Sequence, residues 1–135
     1  MYLLDSNIFL ELLLDQDRAD DVEKFLRSVP SERLNISEFS LYSVGIVLFR
    51  RKLFDVFVRF VDDIIITGGV RLLRLSTEEA KELAKVAQRF KLDFDDAYQY
   101  EIAERYGLTI VSFDSDFDRT ERGRKTPRDL LKSKE

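Results

Sequence analysis

Short apolar runs alternate along the chain with longer stretches whose apolar residues recur at helical spacing. Tyr2–Leu4 is the first run, a strand candidate with Asp5 directly after it. Ile8–Leu14 follows as a helix that is apolar on nearly every side, with Asp5 or Ser6 placed to cap it. Beyond a polar turn over Asp15–Asp21, Val22, Phe25, Leu26 and Val29 form a helical stripe that Pro30 ends. Leu34–Ile36 is the second strand candidate. Ser37 then caps a helix that opens at Glu38 and carries Phe39, Leu41, Tyr42, Val44, Ile46, Val47 and Phe49. Leu53–Ile66 reads as one more helix with a broad apolar face, broken by Gly68-Gly69. Val70–Leu75 is the third strand candidate, and Ser76-Thr77-Glu78-Glu79 is a capping box for a helix reaching Phe90. The next helical pattern opens with Asp95 and Asp96 and stops at Gly107. Leu108–Val111 is the last strand candidate. Asp114, Asp116 and Asp118 follow in an acidic turn, and Thr126-Pro127 starts a short final helix over Arg128–Lys132.

This alternation predicts an α/β fold, a three-layer α/β/α sandwich with a mostly parallel central sheet. The expected organisation is one domain over residues 1–135, with a basic C-terminal segment from residue 119. A helix that feeds a strand of a parallel sheet runs antiparallel to it. The start of the Asp96 helix and the end of the strand before Asp114 therefore share one edge of the sheet. Asp5 and Asp114 follow strands at that edge, and Glu38 and Asp96 open helices there. Each acid alone has a structural explanation: Asp5 as a helix cap, Glu38 as a partner of the helix dipole worth about 0.3–1 kcal/mol. Asp95 and Asp96 are adjacent, and neighbouring helical side chains point about 100° apart, so one of the two is expected to serve a shared ligand. Geometry alone leaves open which of the two it is. The apolar surface of residues 39–65 suits a homodimer face and core packing equally well.

Composition removes many chemistries. The chain contains no His and no Cys, which excludes imidazole bases, thiolate nucleophiles, disulfides and the usual zinc sites. No apolar run is long enough to span a membrane and the first residues do not read as a signal peptide, so a cytoplasmic protein is expected. The net charge is −4, unevenly spread. From Arg119 to Glu135 seven basic residues stand against three acidic ones, a surplus of +4 that leaves −8 on residues 1–118. That segment is either a solvated terminus or a counterpart to a phosphate backbone. Four carboxylates at one edge repel one another, and a hard divalent cation, Mg²⁺ or Mn²⁺, relieves the repulsion with oxygen ligands. Such a site suits metal-assisted phosphodiester hydrolysis better than acyl transfer, for which the chain offers no nucleophile–base pair.

The run Leu3-Leu4-Asp5-Ser6-Asn7, the pair Ser37-Glu38, the pair Asp96-Ala97, and Leu108-Thr109-Ile110-Val111-Ser112-Phe113-Asp114-Ser115-Asp116-Phe117 together resemble a PIN-domain ribonuclease. The nearest group is the single-domain VapC-like toxins of prokaryotic toxin–antitoxin pairs. The resemblance implies a Mg²⁺- or Mn²⁺-dependent endoribonuclease with Asp5, Glu38, Asp96 and Asp114 as metal-binding acids. It also implies Asp96 rather than Asp95 as the ligand, because Ala97 follows it as in the family, and leaves Asp95 as a cap or outer support. Asp116 is implied as an accessory ligand, and Ser6, Asn7 and Ser112 as polar supports. An RNA substrate, a homodimer and an antitoxin whose tail covers the site complete the expectation. Ser112 stands where the family often has Thr and keeps the hydroxyl, while Asp118 has no counterpart. A PIN-type RNA-processing nuclease outside toxin–antitoxin systems, and a non-catalytic RNA- or protein-binding module, are the competing functions.

Overall fold

The computed structural model describes residues 1–132. Four strands, β1 (Tyr2–Leu4), β2 (Leu34–Ser37), β3 (Arg71–Leu73) and β4 (Thr109–Val111), form a fully parallel sheet in the order β3-β2-β1-β4. The helices between them are α1 (Ser6–Leu13), α2 (Ala19–Ser28), α3 (Glu38–Arg50), α4 (Phe54–Phe60), α5 (Thr77–Ala80), α6 (Leu83–Phe90) and α7 (Phe94–Tyr106), with α8 (Pro127–Lys132) last.

Strand alternation sorts the core into two halves. Leu4, Leu34, Ile36 and Val111 point to one side, where they meet Ile8 and Phe9 of α1, Val22 and Phe25 of α2, Val44 and Leu48 of α3, and Phe60 of α4. Leu3, Leu73 and Ile110 point to the other side, against Leu83 and Phe90 of α6 and Ala97, Tyr100, Ile102 and Ala103 of α7. Successive strand side chains face opposite ways, so Leu3 and Leu4 are neighbours in sequence yet belong to different cores. The result is the expected α/β/α sandwich.

Two stretches read as single helices are divided. Residues 53–66 form α4 and then a π-helical segment, Val61–Ile66, in which the Thr67 amide donates to the Asp62 carbonyl five residues back. Gly68 closes it because a Cβ there would lie 2.3 Å from the Asp63 carbonyl oxygen and 2.5 Å from that of Ile64. The helix after Ser76 is interrupted at Lys81–Glu82, whose amides donate three residues back, to Glu78 and Glu79, in the tighter 3-10 manner. The capping box between Ser76 and Glu79 is formed.

The chain moves outward from β1 to β2 to β3 and then returns to place β4 on the other side of β1. Helices α1 and α7 consequently lie on opposite faces, and the sheet opens a crevice between the C-terminal ends of β1 and β4. Parallel sheets bind ligands at such a reversal of strand order.

Candidate metal centre

Asp5 leaves the end of β1 at this crevice and serves as N-cap of α1. Its backbone amide donates to the Val111 carbonyl, which ties it to β4. The carboxylate is buried and fully engaged. Oδ1 accepts from the Ser6 amide at 2.8 Å and from Gln99 Nε2 at 3.5 Å, while Oδ2 accepts from the Ser112 hydroxyl at 2.7 Å and from Asn7 Nδ2 at 3.4 Å. Burial is the main reason its pKa rises from 3.8 to about 6; the charges of Asp114 and Asp95 add to the rise, and the bonds from Ser112 and Ser6 oppose it.

Asn7 and Ser112 lock the two sides of the crevice together. Asn7 Nδ2 donates to Ser112 Oγ at 3.2 Å, and Asn7 Oδ1 accepts the Phe113 amide at 3.2 Å. Ser112 Oγ accepts the Asp114 amide at 2.9 Å, so one hydroxyl orients both Asp5 and the turn that carries Asp114. Asp114 in turn caps a 3-10 segment over Ser115–Arg119 by accepting the Asp116 amide at 2.9 Å.

Asp96 reaches the same point from α7. This helix begins at Phe94 with Asp93 in the cap position, so Asp95 and Asp96 both sit inside its first turn. The turn points Asp96 into the crevice and leaves Asp95 exposed. Carboxylate oxygens of Asp96, Asp114 and Asp116 all lie within 4.8 Å of one another. Burial, a hydrogen bond with Asp114, and the charges of Asp114, Asp95 and Asp5 push the Asp96 pKa up to about 8. Asp116 also pairs with Arg119, whose Nη1 lies 3.2 Å from its Oδ1. The same guanidinium donates to the Phe90 and Lys91 carbonyls, fixing the acidic turn against the end of α6.

Glu38 opens α3 at the end of β2, one strand along the edge from Asp5. Its Oε1 accepts the Tyr42 hydroxyl at 2.6 Å, and it is not part of the three-acid group. Gln99 was not among the sequence candidates, although it is fully buried and bonded to both Asp5 and the Ser37 hydroxyl. Its position three residues after Asp96 was the available signal: an amide on the buried face of a helix needs a partner. The basic segment from residue 119 is largely spent on the body: Arg119, Arg122, Arg124 and Arg128 pair with Asp116, Glu104, Asp118 and Asp21. Lys134 and Glu135 lie outside the described residues.

The donor set fits a hard cation. At bond lengths of about 2.0–2.1 Å, octahedral geometry places neighbouring ligand oxygens about 3 Å apart and opposite ones about 4 Å apart. The three oxygens, all within 4.8 Å of one another, stand close to that range. All donors are carboxylates, as Mg²⁺ and Mn²⁺ prefer, and a cation would offset both the burial and the neighbouring negative charges that raise the Asp96 pKa.

A model of the PIN domain family matches residues 2–123. No curated protein sequence matches the chain. Among solved structures, a toxin–antitoxin complex from Klebsiella pneumoniae superposes with a TM-score of 0.75 at 21% identity, over 94% of this chain and 98% of that one. FitAcB from Neisseria gonorrhoeae gives 0.77 at 21% identity, over 95% and 99%. VapC20 of Mycobacterium tuberculosis, a sarcin–ricin loop cleaving toxin, gives 0.74 at 19% identity, over 87% and 93%. At these identities the likeness is one of fold.

Proposed function

The chain belongs to the PIN domain family, and we propose that it is a divalent-metal-dependent endoribonuclease, the toxin of a toxin–antitoxin pair. The observation that carries this reading is the meeting of Asp96, Asp114 and Asp116 at the reversal of strand order, with Asp5 buried beside them. In this reading Asp96, Asp114 and Asp116 hold Mg²⁺ or Mn²⁺, with Asp5 and Glu38 completing the acidic edge. When bound, such a cation acidifies a water molecule and stabilises charge on a phosphate oxygen.

The chain's own residues supply the rest. Ser112, Asn7 and Gln99 hold Asp5 in one orientation, so its charge is in place before a ligand arrives. Asp96 gives up its proton when the site fills, since only the ionised form is a good ligand. Arg119 keeps Asp116 turned toward Asp114 and Asp96. Without a cation the acids repel a phosphodiester, and this makes metal a condition of substrate binding as well as of chemistry.

The Klebsiella pneumoniae neighbour is a toxin–antitoxin complex, which supports an antitoxin as partner. A homodimer through α3 and α4 is part of the same proposal, because Ile46, Phe49, Phe54 and Val58 leave large apolar surface exposed on that helix pair. No helix among the described residues is long and apolar enough to cross a membrane.

The decisive experiment is cleavage of a mixed set of labelled RNAs with Mn²⁺ or Mg²⁺ and with chelator, using wild type beside Asp96→Asn and Asp114→Asn. Cuts that need metal and drop at least 100-fold in both variants are expected, the loss that removal of one preorganised electrostatic group produces. Cutting that survives chelation or both substitutions would overturn the assignment. No cutting together with no Mn²⁺ binding by calorimetry would leave a non-catalytic binding module.

A further inference from the structure

The edge that carries the acids continues beyond them. In strand order it reads Asp114 after β4, Asp5 after β1, Glu38 after β2 and Arg74 after β3. Neighbouring strands lie about 4.8 Å apart, so the whole edge spans about 14 Å. On its Glu38–Arg74 half, acids give way to aromatic rings. Phe39 lies 5.7 Å from both Phe94 and Tyr98 between ring centroids, and Phe94 lies 6.4 Å from Tyr98. Tyr98 is anchored, since its hydroxyl accepts the Leu75 amide at 2.9 Å. Phe94 is 60% exposed and Tyr42, bonded to Glu38, is 57% exposed. The rings are thus held from behind and open in front.

Arg74 is exposed and makes no hydrogen bond or ion pair among the described residues, although its charge reaches Tyr42. Most of the other cations near this edge are engaged: Arg119, Arg124 and Arg18 each pair with an acid. An exposed ring platform with one free cation beside a carboxylate site matches a nucleotide of a single strand, whose base stacks on aromatic faces while its phosphate seeks a positive charge. A paired base keeps its faces within the helix stack and could not use the platform.

Building on the nuclease reading, we propose that Phe94 and Phe39 form a stacking subsite for one unpaired nucleotide next to the scissile phosphate, with Arg74 holding that nucleotide's phosphate. The subsite selects single-stranded or looped RNA over duplex and tolerates any base, since every base has a π-face. It sets where the strand lies, and the acids do the chemistry.

The test is steady-state cleavage of a single-stranded RNA by wild type, Phe94→Ala, Phe94→Trp and Arg74→Ala. We expect Phe94→Ala to raise KM about tenfold, within the range of base–aromatic stacking, with a smaller effect on kcat and unchanged Mn²⁺ affinity. Phe94→Trp keeps the wild-type KM, and Arg74→Ala raises KM and reduces the salt dependence by about one phosphate contact. An abasic nucleotide beside the cleaved bond costs wild type about tenfold and costs Phe94→Ala nothing further. Unchanged KM in Phe94→Ala, or an abasic penalty that adds in full, would overturn the subsite. Loss of a dimer in Phe94→Ala by sedimentation would also overturn it and assign the ring to a second copy. If wild type cuts no RNA, the nuclease reading fails separately. Anisotropy of fluorescein-labelled single-stranded RNA, wild type against Phe94→Ala, then decides the subsite, and equal affinity or no binding overturns it.

Discussion

Asp96 is where burial and charge conflict most sharply. Its carboxyl titrates at about 8 in the folded chain against 3.8 ordinarily, and Asp5 at about 6. Between the unfolded and folded values the native state holds more protons than the unfolded state. The stability contributed by these two groups is therefore complete below about pH 4 and is lost as pH rises through 6 and 8. Asp96→Asn keeps the shape and removes the charge. Its metal-free melting temperature should exceed that of wild type at pH 8, with the gap closing toward pH 5. Added Mn²⁺ should raise the wild-type melting temperature and shift the variant much less, because ligand binding to the native state stabilises it. Thermal scans at the two pH values, with and without metal, check this; equal metal shifts in both proteins would rule Asp96 out as a ligand. That only one of Asp95 and Asp96 points into the crevice was legible because adjacent helical positions cannot face one point; which of them it is came from the Asp96-Ala97 pair of the family resemblance, not from geometry. For Gln99 the sequence offered only its place three residues after Asp96; its partners Ser37 and Asp5 are distant in sequence, so its role was not legible.

Periodicity located the elements but not their interruptions. The apolar positions of residues 53–66 suit a helix of either pitch, so the change from α to π depends on how Val61, Ile64 and Ile65 settle against the core. Gly68 carries the consequence. The chain folds back there tightly enough that the Val70 amide donates to the Ile64 carbonyl, leaving no room for a methyl group. Gly68→Ala should destabilise the protein by about 1–3 kcal/mol, as overpacking does. That corresponds to roughly 4–12 °C in melting temperature for a chain of this size. Because this turn delivers the chain to β3, and β3 sets the position of Arg74, the loss should extend to RNA affinity. A variant as stable as wild type would show that the turn relaxes at no cost. The Ser76 capping box was legible for the opposite reason: both partners lie within four residues, and only local geometry is needed.

At the scale of the molecule, alternation of strand and helix predicted a parallel α/β sandwich, and the sheet has that form. Strand order was not legible, since the return of β4 to the far side of β1 is decided by which helix faces find cover. The surface left uncovered is the remaining question. Ile46 and Val58, 52% and 56% exposed, flank a face of α3 and α4 where Phe49 stacks edge-on against Phe54 and Phe57. A two-fold dimer buries about 800 Å² on each partner, roughly a tenth of the 7858 Å² this chain exposes. A self-complementary apolar face on one helix pair is the arrangement such a dimer needs. Ile46→Glu and Val58→Glu each place two charges, one from each copy, into that contact and touch no ring of the stack. Sedimentation should give twice the chain mass for wild type and a single chain for each variant, with unchanged circular dichroism. Wild type running as a single chain would leave this face to a different partner, and Ile46→Glu would then weaken that partner's binding instead.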